Sequence, residues 1–593
     1  MRISSQTPSL PCSKSGCSSS LIFTKSALLC RMATPSVPGT RSQGTGCGWL
    51  DLSHSRGTSR GEPECRPVSR SPSSGCAAGC SDATAIFKHR PQERGKLMLA
   101  ARSTASRRSR HWHSPGYVAA PLMLAGLLLG SWTGPVREAE AATAVREPLS
   151  PRLPDGRQRA FPTAEGFGAG SLGGRGGKVI YVVNTNESGP GSLRGCVEAS
   201  GPRVCIFRTG GTITLREKSL VVRNPFLTIA GETAPGGGVA IRNGETQIRP
   251  SIEISTNDVV IRHIRLRPGP HARKACCSGG LGMYSEAARD IMLDHISASW
   301  GSDETIDSED ASNFTWQWGI TSEPLLKGGP GKDDRARNML FTKGGNVSVH
   351  HSLFAFGRFR NPQIKMKTPG AVADVVNNVF FSPAWQYVVS FGDEWTHIQA
   401  NVVGNYKIAG QKLRNDHMVQ LFSESGLGHS IYVKDNYDEP YRTEPDQDDS
   451  LVLTEDQRRF VVKAPFKVPT VRTSAPMVAY DEVLAEAGAT KPERDAVDKR
   501  IIEATKSRSG RLLKTDPRDV GGWPDLDAGT PYQDGDMDGI SDDWEAKSGL
   551  DPANADDGRV DMDGDGWSNL EEFLHFMAGD PEGGDAGPTP DAQ

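Results

Sequence analysis

The chain has 593 residues, with 68 Lys and Arg against 71 Asp and Glu, a net charge of -3 and a pI near 6.5. That balance argues against both a general nucleic-acid surface and a basic membrane patch. With 66 Gly, 40 Pro and 7% aromatic residues, long helix is disfavoured, and the length predicts a large β-rich domain with appendages.

Residues 1–97 hold seven of the eleven cysteines (Cys12, Cys17, Cys30, Cys47, Cys65, Cys76 and Cys80) in a Ser, Gly and Arg mixture with no period of 2 or 3.6. Such a segment buries too little apolar surface to offset its ordering entropy, and it is expected to be disordered. From Met98 the pattern changes: Arg102, Arg107, Arg108 and Arg110 precede the apolar run Tyr117 to Trp132, and Ala139-Glu140-Ala141 follows. Residues 98–141 read as a signal peptide with a small-x-small cleavage site; a retained signal anchor is the alternative. Because export signals start chains, translation is expected to begin at Met98. A secreted, extracellular protein follows, in which a Cys196–Cys205 disulfide is permitted, while the pairing of Cys276 and Cys277 stays open.

After a Pro-rich linker (142–160) and the Gly-rich Gly166 to Gly177 comes a predicted first strand, Val179 to Val183. The glycines precede this strand rather than follow it, which disfavours a phosphate loop. Short alternating apolar segments then recur. Their middle residues Ile261, Leu293, Trp316, Val349, Val375, Ile398 and Val433 are separated by 32, 23, 33, 26, 23 and 35 residues. A base period near 23 with loop insertions predicts an all-β solenoid over 161–476, a right-handed single-stranded parallel β-helix. A β-sandwich would space its strands at roughly 8–12 residues. Asn378, Asn401 and Asn436 are expected to form an internal ladder at the turns.

Several stretches between Phe161 and Arg442 carry a family resemblance: Gly166-Phe167-Gly168-Ala169, Gly173-Gly174-Arg175-Gly176-Gly177, Gly189-Pro190-Gly191-Ser192-Leu193-Arg194, Gly231-Glu232-Thr233-Ala234-Pro235-Gly236-Gly237-Gly238, Asp294-His295 and Arg360-x-Pro362. Together they resemble the secreted bacterial and fungal pectate lyases of polysaccharide lyase family 1. The resemblance implies the β-helix fold, calcium as cofactor, and β-elimination of the acidic plant polysaccharide polygalacturonate. No nucleic acid, no stable membrane association and no second copy of the chain is expected as partner.

Elimination removes the C5 proton beside the uronate carboxylate and expels the sugar oxygen at C4. Acidic metal ligands and cations must therefore converge on one groove to hold the developing charge. Asp303 and Asp307 match the spacing of two family calcium ligands, with Glu304 as an adjacent substitute; a solvated acidic turn is the competing reading. Cys277-Ser278-Gly279-Gly280-Leu281 offers none of the aspartates usual in the family, although Ser278 and backbone carbonyls could complete a site through water. Arg360 falls on the family's proton-abstracting arginine within Arg360-Asn361-Pro362-Gln363-Ile364-Lys365. Lys365 is expected to hold a substrate carboxylate. The family's substrate-gripping lysine maps to Lys327, with Lys343 nearly as good, in a loop read as running from Lys327 to Lys343. His295 is a candidate substrate contact, although Asp294 and His295 lie in a strand and suit a structural hydrogen-bonding role. His350-His351 lacks a third ligand for zinc.

Residues 477–530 are expected to be a helical or irregular link. Two twelve-residue calcium loops follow within 531–580, ahead of a disordered 581–593: Asp534, Asp536, Asp538, Ile540, Asp542 and Glu545, then Asp561, Asp563, Asp565, Trp567, Asn569 and Glu572. Each has Gly at position 6 for the sharp turn and offers a backbone carbonyl at position 7. Three function classes stand: a pectate lyase, a noncatalytic galacturonan-binding β-helix or adhesin, and a galacturonan hydrolase, which needs paired carboxylates. Cations around the acids favour elimination.

Overall fold

The computed structural model describes residues 149–272, 279–328, 335–382, 388–392, 397–409, 416–422, 428–512 and 515–581, all within one compact unit, Ser131–Gln593. The segments expected to be disordered (1–97) and a signal peptide (98–141), Cys276, Cys277 and Ser278, and all of the expected tail 581–593 except Pro581 lie outside the described residues. No helix among those residues is long and apolar enough to cross a membrane.

Each complete coil contributes one strand to each of three sheets, and every pairing between successive coils is parallel. Among the described residues the first sheet has ten strands, from Lys178–Val182 to Ser430–Lys434. The second has nine, from Gly211–Leu215 to Tyr437–Asp438, and the third eight, from Leu220–Val222 to Val419–Leu421. This is a right-handed parallel β-helix, the hand that twisted strands impose on parallel crossovers.

Register follows the inward apolar positions. One column runs Ile229, Ile261, Leu293, Trp316, Val349, Val375, Val402 and Val433. Val402 therefore replaces Ile398, which precedes its strand Gln399–Val403, and the steps of 23 and 35 become 27 and 31. The same shift moves the ladder. Asn405 donates to Asn436 and accepts from Asn378, and each of the three asparagines is fully buried. Asn401 instead points out of its strand, donating to Asp374 and to the Phe466 carbonyl. An amide in a strand can face outward; only one just past the strand, at the corner, meets the next coil's amide.

The corners explain why this backbone turns so tightly. At the bend from first to second sheet, His263, His295, Trp318, His351, Asn377, Gly404 and Asp435 all have φ between 47° and 64°. Asn, Asp, His and Gly tolerate that left-handed region best, and tryptophan there indicates that packing overrides local preference.

What covers the coil decides where a polymer can bind. The helix Leu193–Glu198 closes the N-terminal end, its Cys196 bridged to Cys205. Residues 149–177 lie on the outer face of the first sheet so closely that a Cβ at Gly168 would stand 2.1 Å from the Ile291 carbonyl oxygen. Residues 466–474 cross the same face further on, bonding Asn401 and Asn377. Helices Pro476–Glu486 and Ala496–Lys506 cover the second sheet. The third sheet keeps half-exposed outward side chains, among them Glu253, Asp307, Glu309, Gln363, Lys365 and Gln420.

Candidate active-site groove and acidic loops

The third sheet's strands place the predicted groove residues in rows. On Glu304–Glu309 the inward Ile306 and Ser308 alternate with outward Asp307 and Glu309. The next strand is Arg337–Lys343, so the predicted loop from Lys327 to Lys343 ends in a strand whose alternation was obscured by its flanking charges. Asp307 is in register with Leu340 and Gln363, and Glu309 with Thr342 and Lys365. Across the preceding strand Asp307 faces Gly282, which brings no side chain.

At the corner entering this sheet, acids and arginines interleave. Arg335 Nη1 donates to both oxygens of Asp303 at 2.5 and 2.6 Å, and Arg337 Nη1 reaches Asp303 at 2.9 Å and Glu304 at 3.1 Å. Glu304 and Arg337 are direct register partners, and Arg360 from the following coil donates to the same Glu304 oxygen. Burial pulls the Arg360 guanidinium down to about 10, against the attraction of Asp303. Burial likewise pushes Asp307 up to about 6, repulsion from Asp303 adds to this, and a 3.3 Å hydrogen bond from the Tyr284 hydroxyl opposes it.

Sequence reasoning missed Arg335, Arg337 and Tyr284. The Arg335-x-Arg337 alternation running into an apolar stretch was a strand signal with both cations on one face.

The structure also separates the two lysine candidates. Lys327 is an exposed turn residue beside Gly328, whose position is pressed against Ser302, so it borders the acid–arginine corner. Lys343 ends its strand six positions beyond Arg337, roughly 20 Å away at the rise of a strand. There it is exposed and ion-paired to Glu309. Lys365 stands between, one row from Asp307.

His295 belongs elsewhere. It sits at the bend from first to second sheet, whereas Arg360 precedes a third-sheet strand. Its Nδ1 meets Asp294 at 2.8 Å, and its ring stacks on His263 at 4.7 Å. Asp294 is fully buried, also taking Arg262 and Gln317 at 2.8 Å each, and His295 and Arg262 hold its carboxyl far below the ordinary range despite burial. The expected structural role of this pair fits that geometry.

A probable pectate lyase C of Aspergillus flavus is 34% identical over 433 residues, covering 70% of this chain and 94% of its own length. The chain belongs to the pectate lyase family. The corresponding protein of Emericella nidulans is 32% identical over 435 residues, at 72% and 93% coverage. No protein-family profile matches the chain. Among solved structures, the cedar pollen allergen Jun a 1 covers 55% of this chain and 92% of its own length, with 16% identity and a TM-score of 0.38. The fold itself is set by the strand registers.

As a pectate lyase groove the corner is rich in cations and poor in free carboxylate. Calcium wants six to eight oxygens. Asp303, Glu304 and Asp307 lie on one side, but arginines engage both oxygens of Asp303 and one of Glu304. A groove calcium therefore fits only with Asp307 as chief protein ligand and further oxygens arriving with the polymer.

The C-terminal loops are closer to complete. Carboxylate oxygens of Asp534, Asp536 and Asp538 gather within 4.8 Å of one another, as do those of Asp561, Asp563 and Asp565. Burial and mutual repulsion push Asp538 up to about 6, Glu545 to about 7 and Glu572 to about 8. The position 9 carboxylate of the first loop, Asp542, does not join its cluster. Asp542 accepts from Gly535 N, and Asn569 donates to the Asp557 carbonyl, tying the second loop to the turn between the loops. The side chains of Ile540 and Trp567 are buried, Trp567 donating to the Arg159 carbonyl, so both position 7 residues anchor the loops to the β-helix.

Proposed function

We propose that this chain cleaves polygalacturonate by calcium-assisted β-elimination in the third-sheet groove, acting outside the cell as a monomer. The observation that carries the reading is the convergence of Arg335, Arg337 and Arg360 with Asp303, Glu304 and Asp307 at one corner of a pectate lyase chain. Calcium, held by Asp307 and the polymer with Asp303 and Glu304 within reach, would supply charge neutralisation at the substrate carboxylate and so acidify C5.

The chain's own residues do the rest. Arg360 takes the C5 proton, the C5–H electrons form the C4–C5 double bond, and the C4–O bond breaks with its oxygen protonated from solvent. A guanidinium is a poor base. Burial that lowers its proton affinity brings the neutral form nearer, and the Glu304 contact fixes which face it presents. Lys327 grips substrate beside that corner and Lys365 holds a uronate carboxylate one row on. Lys343 can take a further carboxylate by exchanging Glu309 for it.

The test is ultraviolet absorbance of the unsaturated product from polygalacturonate, with calcium or with chelator, for the wild type and Arg360→Ala. Calcium-dependent absorbance that falls by about 10³-fold in the variant is expected for loss of a proton acceptor. Binding without absorbance would replace this reading with the noncatalytic one, which the arginine-engaged Asp303 and the bare Gly282 favour. New reducing ends without absorbance would identify a hydrolase.

A further inference from the structure

The first acidic loop has a ligand set larger than its motif. Besides the Asp534, Asp536 and Asp538 group, a second triad joins Asp538 to Glu545 and to Asp557, again with oxygens within 4.8 Å of one another. Asp557 lies outside both twelve-residue loops, on the short turn Asp557–Arg559 between them. The turn is pressed onto the loop: a Cβ at Gly558 would stand 2.0 Å from Asp538 Oδ2.

The oxygens facing this space have no hydrogen-bond partner. They are Asp534 Oδ1, both oxygens of Asp536, Asp538 Oδ2, both of Glu545, and Asp557 Oδ1. Glu545 is 0% exposed. With neither of its oxygens hydrogen-bonded, the buried Glu545 carboxylate is a costly arrangement that a cation would relieve. An all-oxygen set drawn from five acidic side chains suits a hard divalent ion.

Asp534 ties this space to the β-helix. While Oδ1 faces the cluster, Oδ2 accepts from the Tyr181 hydroxyl at 2.6 Å and from Arg208 Nη1 at 3.2 Å. Tyr181 is on the first strand of the first sheet, and Arg208 follows the second. Arg208 Nη2 also donates to the Tyr532 carbonyl at 2.7 Å, and Ile540 packs with Val204, Ile206 and Val179 of those strands.

We propose that Asp534, Asp536, Asp538, Glu545 and Asp557 bind one calcium ion that clamps the C-terminal unit onto the first two coils of the β-helix. The ion completes a sheet-to-loop connection that passes through the two oxygens of a single carboxylate. The tail is thus a calcium-dependent cover of the first sheet's outer face, and calcium there sets the stability of the coils beneath it.

Linkage makes this testable without reading catalysis. Whatever holds Asp534 in place from the β-helix side must be felt as calcium affinity, and calcium must be felt as β-helix stability. The test is calorimetric titration of the full secreted chain with CaCl₂ in the absence of polymer, beside urea unfolding with calcium or chelator. In Asp557→Asn, whose amide oxygen can still accept from Asp551 N, one site should weaken by about tenfold or more, as expected when a ligand charge is removed. Tyr181→Phe touches no proposed ligand site directly except through Asp534, and it should weaken the same site several-fold. Chelator should lower the urea midpoint of the wild type, and by less in both variants.

Wild-type affinity in both variants would overturn the assignment. Calcium binding altered by Asp557→Asn but untouched by Tyr181→Phe, with the β-helix melting indifferent to chelator, would overturn the clamp and leave an independent calcium module. Glu572→Gln, in the second loop, separates that site's heat from the first. If polygalacturonate is not cleaved while these shifts appear, the groove reading fails and the clamp stands.

Discussion

Asp374 offers a measurement in which sign and size both follow from placement. It lies on the outer face of the first sheet under residues 466–474, 3% exposed, with Asn401 Nδ2 donating to its Oδ1 at 3.1 Å. Among the described residues no cation offsets it, and burial raises its carboxyl from 3.8 to about 6, the Asn401 hydrogen bond opposing. A raised acid binds its proton more tightly folded than unfolded, so the fold loses stability as pH climbs from the ordinary carboxylate range through about 6. At about 1.4 kcal/mol per pH unit, a shift of this size corresponds to about 3 kcal/mol of penalty, fully present by pH 8. Asp374→Asn removes that titration but introduces a buried amide needing an acceptor, which costs about 1 kcal/mol. The variant should therefore be more stable than wild type by about 2 kcal/mol at pH 8 and less stable by about 1 kcal/mol at pH 4. Urea unfolding of both proteins at the two pH values, at fixed calcium, reads the difference. A variant destabilised equally at pH 4 and pH 8 would refute the reasoning, because it would mean Asp374 is as readily ionised in the fold as outside it.

Arg337→Ala should lower lyase turnover by roughly a hundredfold with smaller change in polymer affinity, because it removes one of the two arginines on each of Asp303 and Glu304 and so disturbs the Arg360 orientation; unsaturated-product kinetics on polygalacturonate would detect it. Asn405→Ala should cost about 3 kcal/mol in urea unfolding, since it takes the acceptor from the Asn378 backbone N–H and a donor from the Val375 carbonyl inside the coil. A cost under about 1 kcal/mol would mean that water replaces the ladder.

Much of the fold was legible because the solenoid repeats its own constraint. The spacing from Ile261 to Val375 placed five successive strands, since each inward apolar residue must stack on the last or lose its core. The reading slipped at Ile398 for a physical reason: Ile398, Ala400 and Val402 are all apolar and all buried, so alternation alone admits two registers. The corner settles it, as Asn405 must reach Asn378 and Asn436 across the coils. Polar ladders thus fix a register that apolar periodicity leaves degenerate.

The site was legible in its members but not in their pairing. Sequence spacing nominated Asp303, Glu304, Asp307 and Arg360, and could not foresee that Glu304 lies level with Arg337, because the two are 33 positions apart in an insertion-bearing coil. It likewise saw two calcium loops and not Asp557, whose place depends on how the turn at Gly558 meets Asp538. In both cases the missing information is a contact between coils or loops rather than within them. That same geometry gives the groove its character: an acid row one residue deep, bordered by Arg335, Arg337 and Arg360, attracts a polyanion more readily than it retains a free cation. Calcium at such a corner should therefore bind with the polymer and weakly without it, whereas the tail, with five carboxylates of which only Asp534 meets an arginine among the described residues, through the oxygen turned toward Arg208, should hold calcium alone.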